Sequence, residues 1–143
     1  MNVEAILKAK GRAVVTIAPE AGIAEAVELM RRKGIGAVVV SEDGVRVGGI
    51  LSERDVVHAL AEQGAKTLEL KVSALMTRHV YSCRPDDTVA DLMAEMTTRR
   101  IRHLPVVENG RLSGIVSIGD VVKNRLDEVE SEASSLRQFI TSA

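Results

Sequence analysis

Aromatic residues are almost missing from this chain: no tryptophan, one tyrosine (Tyr81) and one phenylalanine (Phe139) in 143 residues. The core must therefore be aliphatic, and a planar ligand would have to be sandwiched largely by aliphatic side chains. Cysteine is as scarce. A single Cys83 excludes an internal disulfide and fits a reducing, cytoplasmic setting. A formal net charge of -1 excludes a global pull on nucleic acid or on anionic membranes. No apolar run approaches the ~20 residues of a membrane helix. The opening MNVEAILKAKGR lacks the hydrophobic segment of a signal peptide. Neither nucleic acid nor membrane is therefore expected as a partner. Chemistry-bearing motifs are missing too. There is no G-x-x-x-x-G-K-[ST], no G-x-G-x-x-G and no local nucleophile–base signature. His58, His79 and His103 lack metal-ligand spacing, so no metal site is expected.

What the chain does have is an ordinary globular composition, with 45% hydrophobic residues, and a repeat. Gly49–Val57 reads GILSERDVV and Gly114–Val122 reads GIVSIGDVV. Residues 13–44 align with 79–110 in the same order, matching Pro19 to Pro85, Met30 to Met96, Ile35 to Ile101 and Gly44 to Gly110. A repeat of this length governs the fold, and two similar halves can build two similar sites.

Each repeat opens on a short helical segment, Val3–Lys8 or Val72–Met76, followed by an apolar strand, Ala13–Ile17 or His79–Cys83. Ile23, Val27 and Met30 recur at helical spacing, as do Val89, Leu92 and Met96, which predicts an amphipathic helix in each repeat. Two strands follow, Ala37–Val40 and Val45–Leu51, then Leu104–Val107 and Leu112–Ser117. Asp43–Gly44 and Asn109–Gly110 are the hairpin turns between them. A second helix begins near Ser52 or Ser117. The spacing thus gives an α/β chain of two β-α-β-β-α repeats with a C-terminal helical extension, divided at 1–66, 67–130 and 131–143. One extra residue near Val47–Gly49 points to a bulge, and residues 62–71 read as a polar linker. In the last helix Val122, Leu126, Val129, Ala133, Leu136 and Ile140 follow alternating spacings of four and three. That is an a/d seam, suited to packing on its own domain or to self-association as a homodimer.

The doubled Ser-x-x-Asp, Ser52/Asp55 and Ser117/Asp120, has two readings. A serine before a helix with an acid three residues on is a variant capping box. The same arrangement offers a nucleotide free helix N-terminal amides for phosphate and a carboxylate for the ribose hydroxyls. Arg31–Lys33 and Arg99–Arg100 suit helix C-termini by charge alone. Arg102 and His103 lie beyond the helix and are open to phosphate contact or to simple exposure.

These residues resemble a tandem pair of CBS domains, the cystathionine β-synthase-type repeat also called a Bateman module. The likeness rests on the doubled Gly-Ile-x-Ser-x-x-Asp, on RIRHLPVVENG at Arg100–Gly110, on IGAVVVSEDG at Ile35–Gly44 and on VSALMT at Val72–Thr77. It spans nearly the whole chain except the last ~15 residues. The resemblance implies two repeats related by a pseudo-two-fold axis, with two clefts between them that bind adenosine compounds: AMP, ADP, ATP, NAD(H) or S-adenosylmethionine. Carried onto this chain, one site joins Ser52, Arg54 and Asp55 to Thr77, Tyr81, Ile101, Arg102 and His103. The other joins Ser117 and Asp120 to Lys10, Val15, Ile35 and Ala37. The second departs from the pattern, with Gly119, Gly36 and Ala37 where the first has Arg54, Arg102 and His103. The expected function is a regulatory nucleotide sensor without catalysis, acting on an unidentified protein partner. The alternatives are a dimerisation scaffold with degenerate sites and a nucleotide-processing enzyme.

Overall fold

The computed structural model describes residues 1–142. Its elements run α1 (Val3–Lys10), β1 (Thr16–Ile17), α2 (Ile23–Lys33), β2 (Ala37–Val40), β3 (Gly49–Ser52), α3 (Glu53–Gln63), α4 (Val72–Leu75), α5 (Val89–Arg99), β4 (His103–Glu108), β5 (Arg111–Ser117) and α6 (Ile118–Ser142). In the first repeat β1 pairs parallel with β2, and β2 antiparallel with β3, placing Ala37 opposite Ser52. In the second repeat β4 and β5 pair antiparallel, placing His103 opposite Ser117. Among the described residues no helix is long and apolar enough to cross a membrane.

The aliphatic periodicity produces two cores. Ile23, Ala26 and Met30 of α2 pack on Val38, Val40 and Leu51, and Val89, Leu92 and Met96 of α5 pack on Leu104, Val106 and Val116. Each core is completed by the opening helix of the other repeat. Val3, Ile6 and Leu7 of α1 lie in the second core, and Val72 of α4 lies in the first. Matching hydrogen bonds tie both helices down. The Val3 and Glu4 amides donate to the Asp87 and Pro85 carbonyls at 2.9 Å each. The Val72 and Ser73 amides donate to the Ala21 and Pro19 carbonyls at 2.8 and 3.0 Å. Fully burying each Val or Leu contributes about 1.5–3 kcal/mol, so each exchange is a substantial fraction of a small domain's stability.

Several local expectations change. Residues 62–71 are not an extended linker: α3 runs to Gln63, and Gly64–Glu69 forms a 3₁₀ turn. Its Thr67 is fully buried and its Leu70 packs on the first core. Val45–Gly48 is loop, because Asp43 Oδ1 gathers the Val45 and Arg46 amides at 2.8 and 2.9 Å and holds them out of the ladder. Asn109–Gly110 is the tight turn expected, with positive φ at both residues (54° and 75°). The bulge falls between Val106 and Val107 rather than near Val47–Gly49. The strand expected over His79–Cys83 reduces to a single parallel bridge from Cys83 to Val106.

Candidate functional site

Both Ser-x-x-Asp motifs start a helix, and both are capping boxes. Ser52 Oγ accepts from the Asp55 amide at 3.2 Å, and Asp55 Oδ2 accepts from the Ser52 amide at 2.9 Å. Ser117 and Asp120 repeat the pair at 3.2 and 2.9 Å. Capping occupies one oxygen of each carboxylate. Among the described residues Asp55 Oδ1 accepts no hydrogen bond, and the Arg54 amide donates none. A helix N-terminus with a free amide and a half-free carboxylate can therefore serve structure and ligand together.

Ser52, Arg54, Asp55, Thr77, Tyr81, Ile101, Arg102 and His103 all line one cleft of about 240 Å³ between the repeats. Each is placed by its element. Thr77 exchanges backbone hydrogen bonds with Ile50 of β3 at 2.8 and 3.0 Å. Gly49 permits that approach, since a Cβ there would lie 2.8 Å from Met76 Sδ and 3.0 Å from the Thr77 carbonyl. The Tyr81 ring is held under the Arg99 guanidinium at 3.9 Å, with His79 edge-on to it. Arg102 leads into β4, where its carbonyl accepts from the Ile118 amide at 2.8 Å.

Gly36, Ala37, Ile50, Glu53, His79, Val80 and Arg100 complete the lining. Arg100 was not expected here. It follows α5 in a left-handed conformation (φ 54°) at the place where the first repeat has Gly34, and its carbonyl accepts from Arg54 Nη1 at 3.3 Å. An arginine standing where a helix C-terminus favours glycine was the signal available in the sequence. Arg54, Arg100 and Arg102 with His79 and His103 face only Glu53 and Asp55, so the rim is electropositive, and Ile50, Val80 and Ile101 supply apolar wall. Burial holds the His103 imidazole below its ordinary range, opposed by Glu53 and assisted by Arg102 and Lys10; Asp120 also acts on it. His103 thus lies electrically between the two acid motifs.

The second set is arranged differently. Lys10 Nζ lies 2.7 Å from Asp120 Oδ2 and 3.0 Å from the Ile115 carbonyl. The equivalent carbonyl in the first repeat, that of Ile50, receives the Thr77 amide instead. Asp120 thus carries its own counter-ion. Burial pushes its carboxyl up, but the Lys10 hydrogen bond and charge, with the Ser117 amide, outweigh this and leave it below its ordinary value. Val15 and Ile35 are half-buried against the first core, and Ala37 borders the Asp55 cleft. A further hollow of about 470 Å³, between Ser41–Gly48 and Ser73–Arg78, contains none of the expected site residues.

The fold agrees with that of known proteins. A family model described as the CBS domain matches residues 10–62 and again 72–127. The crystal structure of the CBS-domain containing protein ATU1752 from Agrobacterium tumefaciens is 52% identical, covering 87% of this chain and 99% of that one, with a TM-score of 0.84. The CBS domain-containing protein YhcV of Bacillus subtilis is 35% identical over 86% of each chain. The CBS domain protein PAE2072 from Pyrobaculum aerophilum, solved complexed with AMP, is 26% identical over 84% of this chain and 89% of that one, with a TM-score of 0.74. With two family matches that together span most of the chain, and the exchanged α/β repeats described above, this protein belongs to the CBS-domain family as a tandem pair.

Proposed function

We propose that the chain is a regulatory module without catalysis of its own, binding an adenosine nucleotide in the Asp55 cleft and signalling occupancy to a partner protein through a change of shape. One observation carries this reading: a single cleft joins the free oxygen of Asp55 to an apolar wall and a rim of three arginines. Asp55 Oδ1 suits the ribose hydroxyls. Ile50, Val80 and Ile101 suit the adenine faces in a site with one tyrosine. Arg54, Arg100 and Arg102 suit phosphate, which guanidinium binds through planar, paired hydrogen bonds. AMP in PAE2072 is consistent with this class of ligand. A cytoplasmic setting fits the one buried thiol, Cys83, whose burial, with the Asp87 charge, pushes it up to about 12 and leaves it unreactive.

The Lys10–Asp120 pair favours a second reading for the other half, that its motif is structural and closed to ligand in the resting state. A thermal-shift panel of AMP, ADP, ATP, NAD, NADH and S-adenosylmethionine tests the main reading. At 100 times Kd a ligand adds about 2.7 kcal/mol of apparent stability. A panel in which no compound shifts the transition defeats the proposal and leaves a scaffold.

A further inference from the structure

The hollow of about 470 Å³ between Ser41–Gly48 and Ser73–Arg78 lies where the two repeats differ in one charge. The Ser73 and Glu4 amides donate to the matching carbonyls of Pro19 and Pro85, so Ser73 stands where the other repeat has Glu4. Met76 stands where it has Leu7, each packed on the matching glycine, Gly49 or Gly114. Arg78 and Arg12 each stand one residue before the aligned stretches that begin at 79 and 13. Arg12 is neutralised within the fold, because Glu4 pairs with its guanidinium. Arg78 is not. Among the described residues it meets no carboxylate, and its guanidinium donates to the Ser73 carbonyl at 3.2 Å.

The acids around the hollow do not make good the loss. Glu20 pairs with Lys71 at 2.7 Å. Asp43 spends Oδ1 on the Ser41 hydroxyl and on two amides of its own turn, and its charge answers Arg46. Glu42 is exposed and pairs with neither arginine. Ser73 is half-buried, and among the described residues its hydroxyl makes no hydrogen bond. Val40, Val47 and Met76 give the hollow an apolar floor. A guanidinium and a hydroxyl above such a floor suit an oxyanion on a short apolar stem. We propose that this hollow is a second ligand site, taking the carboxylate or phosphate of a small molecule at the place Glu4 fills in the other repeat. Met76 and Arg78 line it, while Thr77 and His79, alternating with them, line the Asp55 cleft. The two sites therefore stand back to back across one segment. They share no lining residue, so an anion held by Arg78 neither supports nor opposes a nucleotide at Asp55.

Inorganic phosphate, titrated into the full chain and followed by amide NMR, should shift Gly48, Ser73 and Arg78 saturably. Arg78→Ala, at an exposed position, should weaken that binding by roughly tenfold or more, the loss of a charge-assisted hydrogen bond. Ser73→Glu should rebuild the ion pair of the other repeat, raise the unfolding midpoint and abolish the shifts. A parallel titration with acetate identifies the head group: tighter acetate binding means a carboxylate ligand, tighter phosphate binding a phosphate. Shifts that rise without saturating overturn the proposal, as does binding that survives both Arg78→Ala and Ser73→Glu. Shifts that survive Arg78→Ala but vanish with Arg102→Ala place the phosphate in the Asp55 cleft and overturn it too.

Discussion

Arg100 occupies a left-handed backbone conformation that costs an ordinary L-residue about 1–2 kcal/mol, while its counterpart Gly34 adopts it freely. The penalty has an offsetting use if the guanidinium is wanted at the cleft rim. Arg100→Gly should therefore raise the unfolding midpoint and weaken ATP much more than adenosine; a variant that loses stability and binds ATP unchanged would contradict this. Asp55→Asn should cost about 1.5–3 kcal/mol in nucleotide affinity, the worth of a charge-assisted hydrogen bond, and ~1 kcal/mol or less in stability as a weakened cap. Asp120→Asn should leave the Asp55 cleft intact, and Lys10→Ala should create a second class of sites in calorimetry. Equal losses for the two aspartates would mean that both serve the ligand equally. His103 gives the pH signature. Its folded value lies below its unfolded one, so the unfolded chain holds more protons in the window just below the ordinary histidine range. Stability from this group is full above that range and is lost as pH falls through the folded value. Bound phosphate would favour the imidazolium against Lys10 and Arg102, with Glu53 and Asp120 assisting. ATP binding near pH 6 should then take up a proton that His103→Asn does not, measured by calorimetry in two buffers of different ionisation enthalpy.

Among the elements, α1 carries the most unexpected weight. Gly114 in β5 makes room for it: a Cβ there would lie 2.6 Å from Leu7 Cδ2, and Leu7 is fully enclosed. Gly114→Val should cost about 1–3 kcal/mol by overpacking and should loosen the Lys10–Asp120 pair at the end of the same helix. Unchanged thermal stability would show that Leu7 has room to move. This contact was invisible in the sequence. Periodicity identified α2 and α5 because their apolar faces lie on their own strands, a local relation. It could not say which core receives Val3 or Val72, since that depends on partners far along the chain. The doubled glycine at 49 and 114 was legible as a repeat, but its purpose, close approach by the other repeat's opening segment, needed the fold. The 62–71 segment reads as polar linker because its buried residue is Thr67, while Leu68 is exposed and Leu70 stands alone against the core, which leaves no periodic apolar pattern. The eight residues that the CBS resemblance carries onto the Asp55 cleft line one hollow, but Glu53, His79 and Arg100 line it too and carry no repeated motif that would mark them. The resemblance groups Lys10 with Asp120 in a ligand site, but its direct hold on the acid rests on a side chain reaching across 110 residues of sequence.

At the level of the whole molecule, the Asp55 cleft is walled by β3 and α3 of one repeat and by residues 77–81 and 100–103 of the other. A ligand there bridges both halves. Hydrogen exchange should slow together at Ile50, Thr77, Ile101 and Leu104 when ATP binds; slowing confined to the first repeat would argue against a signal crossing between them. The exchanged opening helices also impose an order in time. The first core is sealed by Val72, which leaves the ribosome soon after the strands it covers. The second core is sealed by Val3, Ile6 and Leu7, made well before the strands they cover, and it waits for β5 and α6 to emerge. Contacts of such long sequence separation form slowly, and exposed apolar surface in the interval favours misassembly. Helix α1, synthesised long before β5 and α6, is thus among the last elements to find its place, and the acid at Asp120 acquires its counter-ion only when it does.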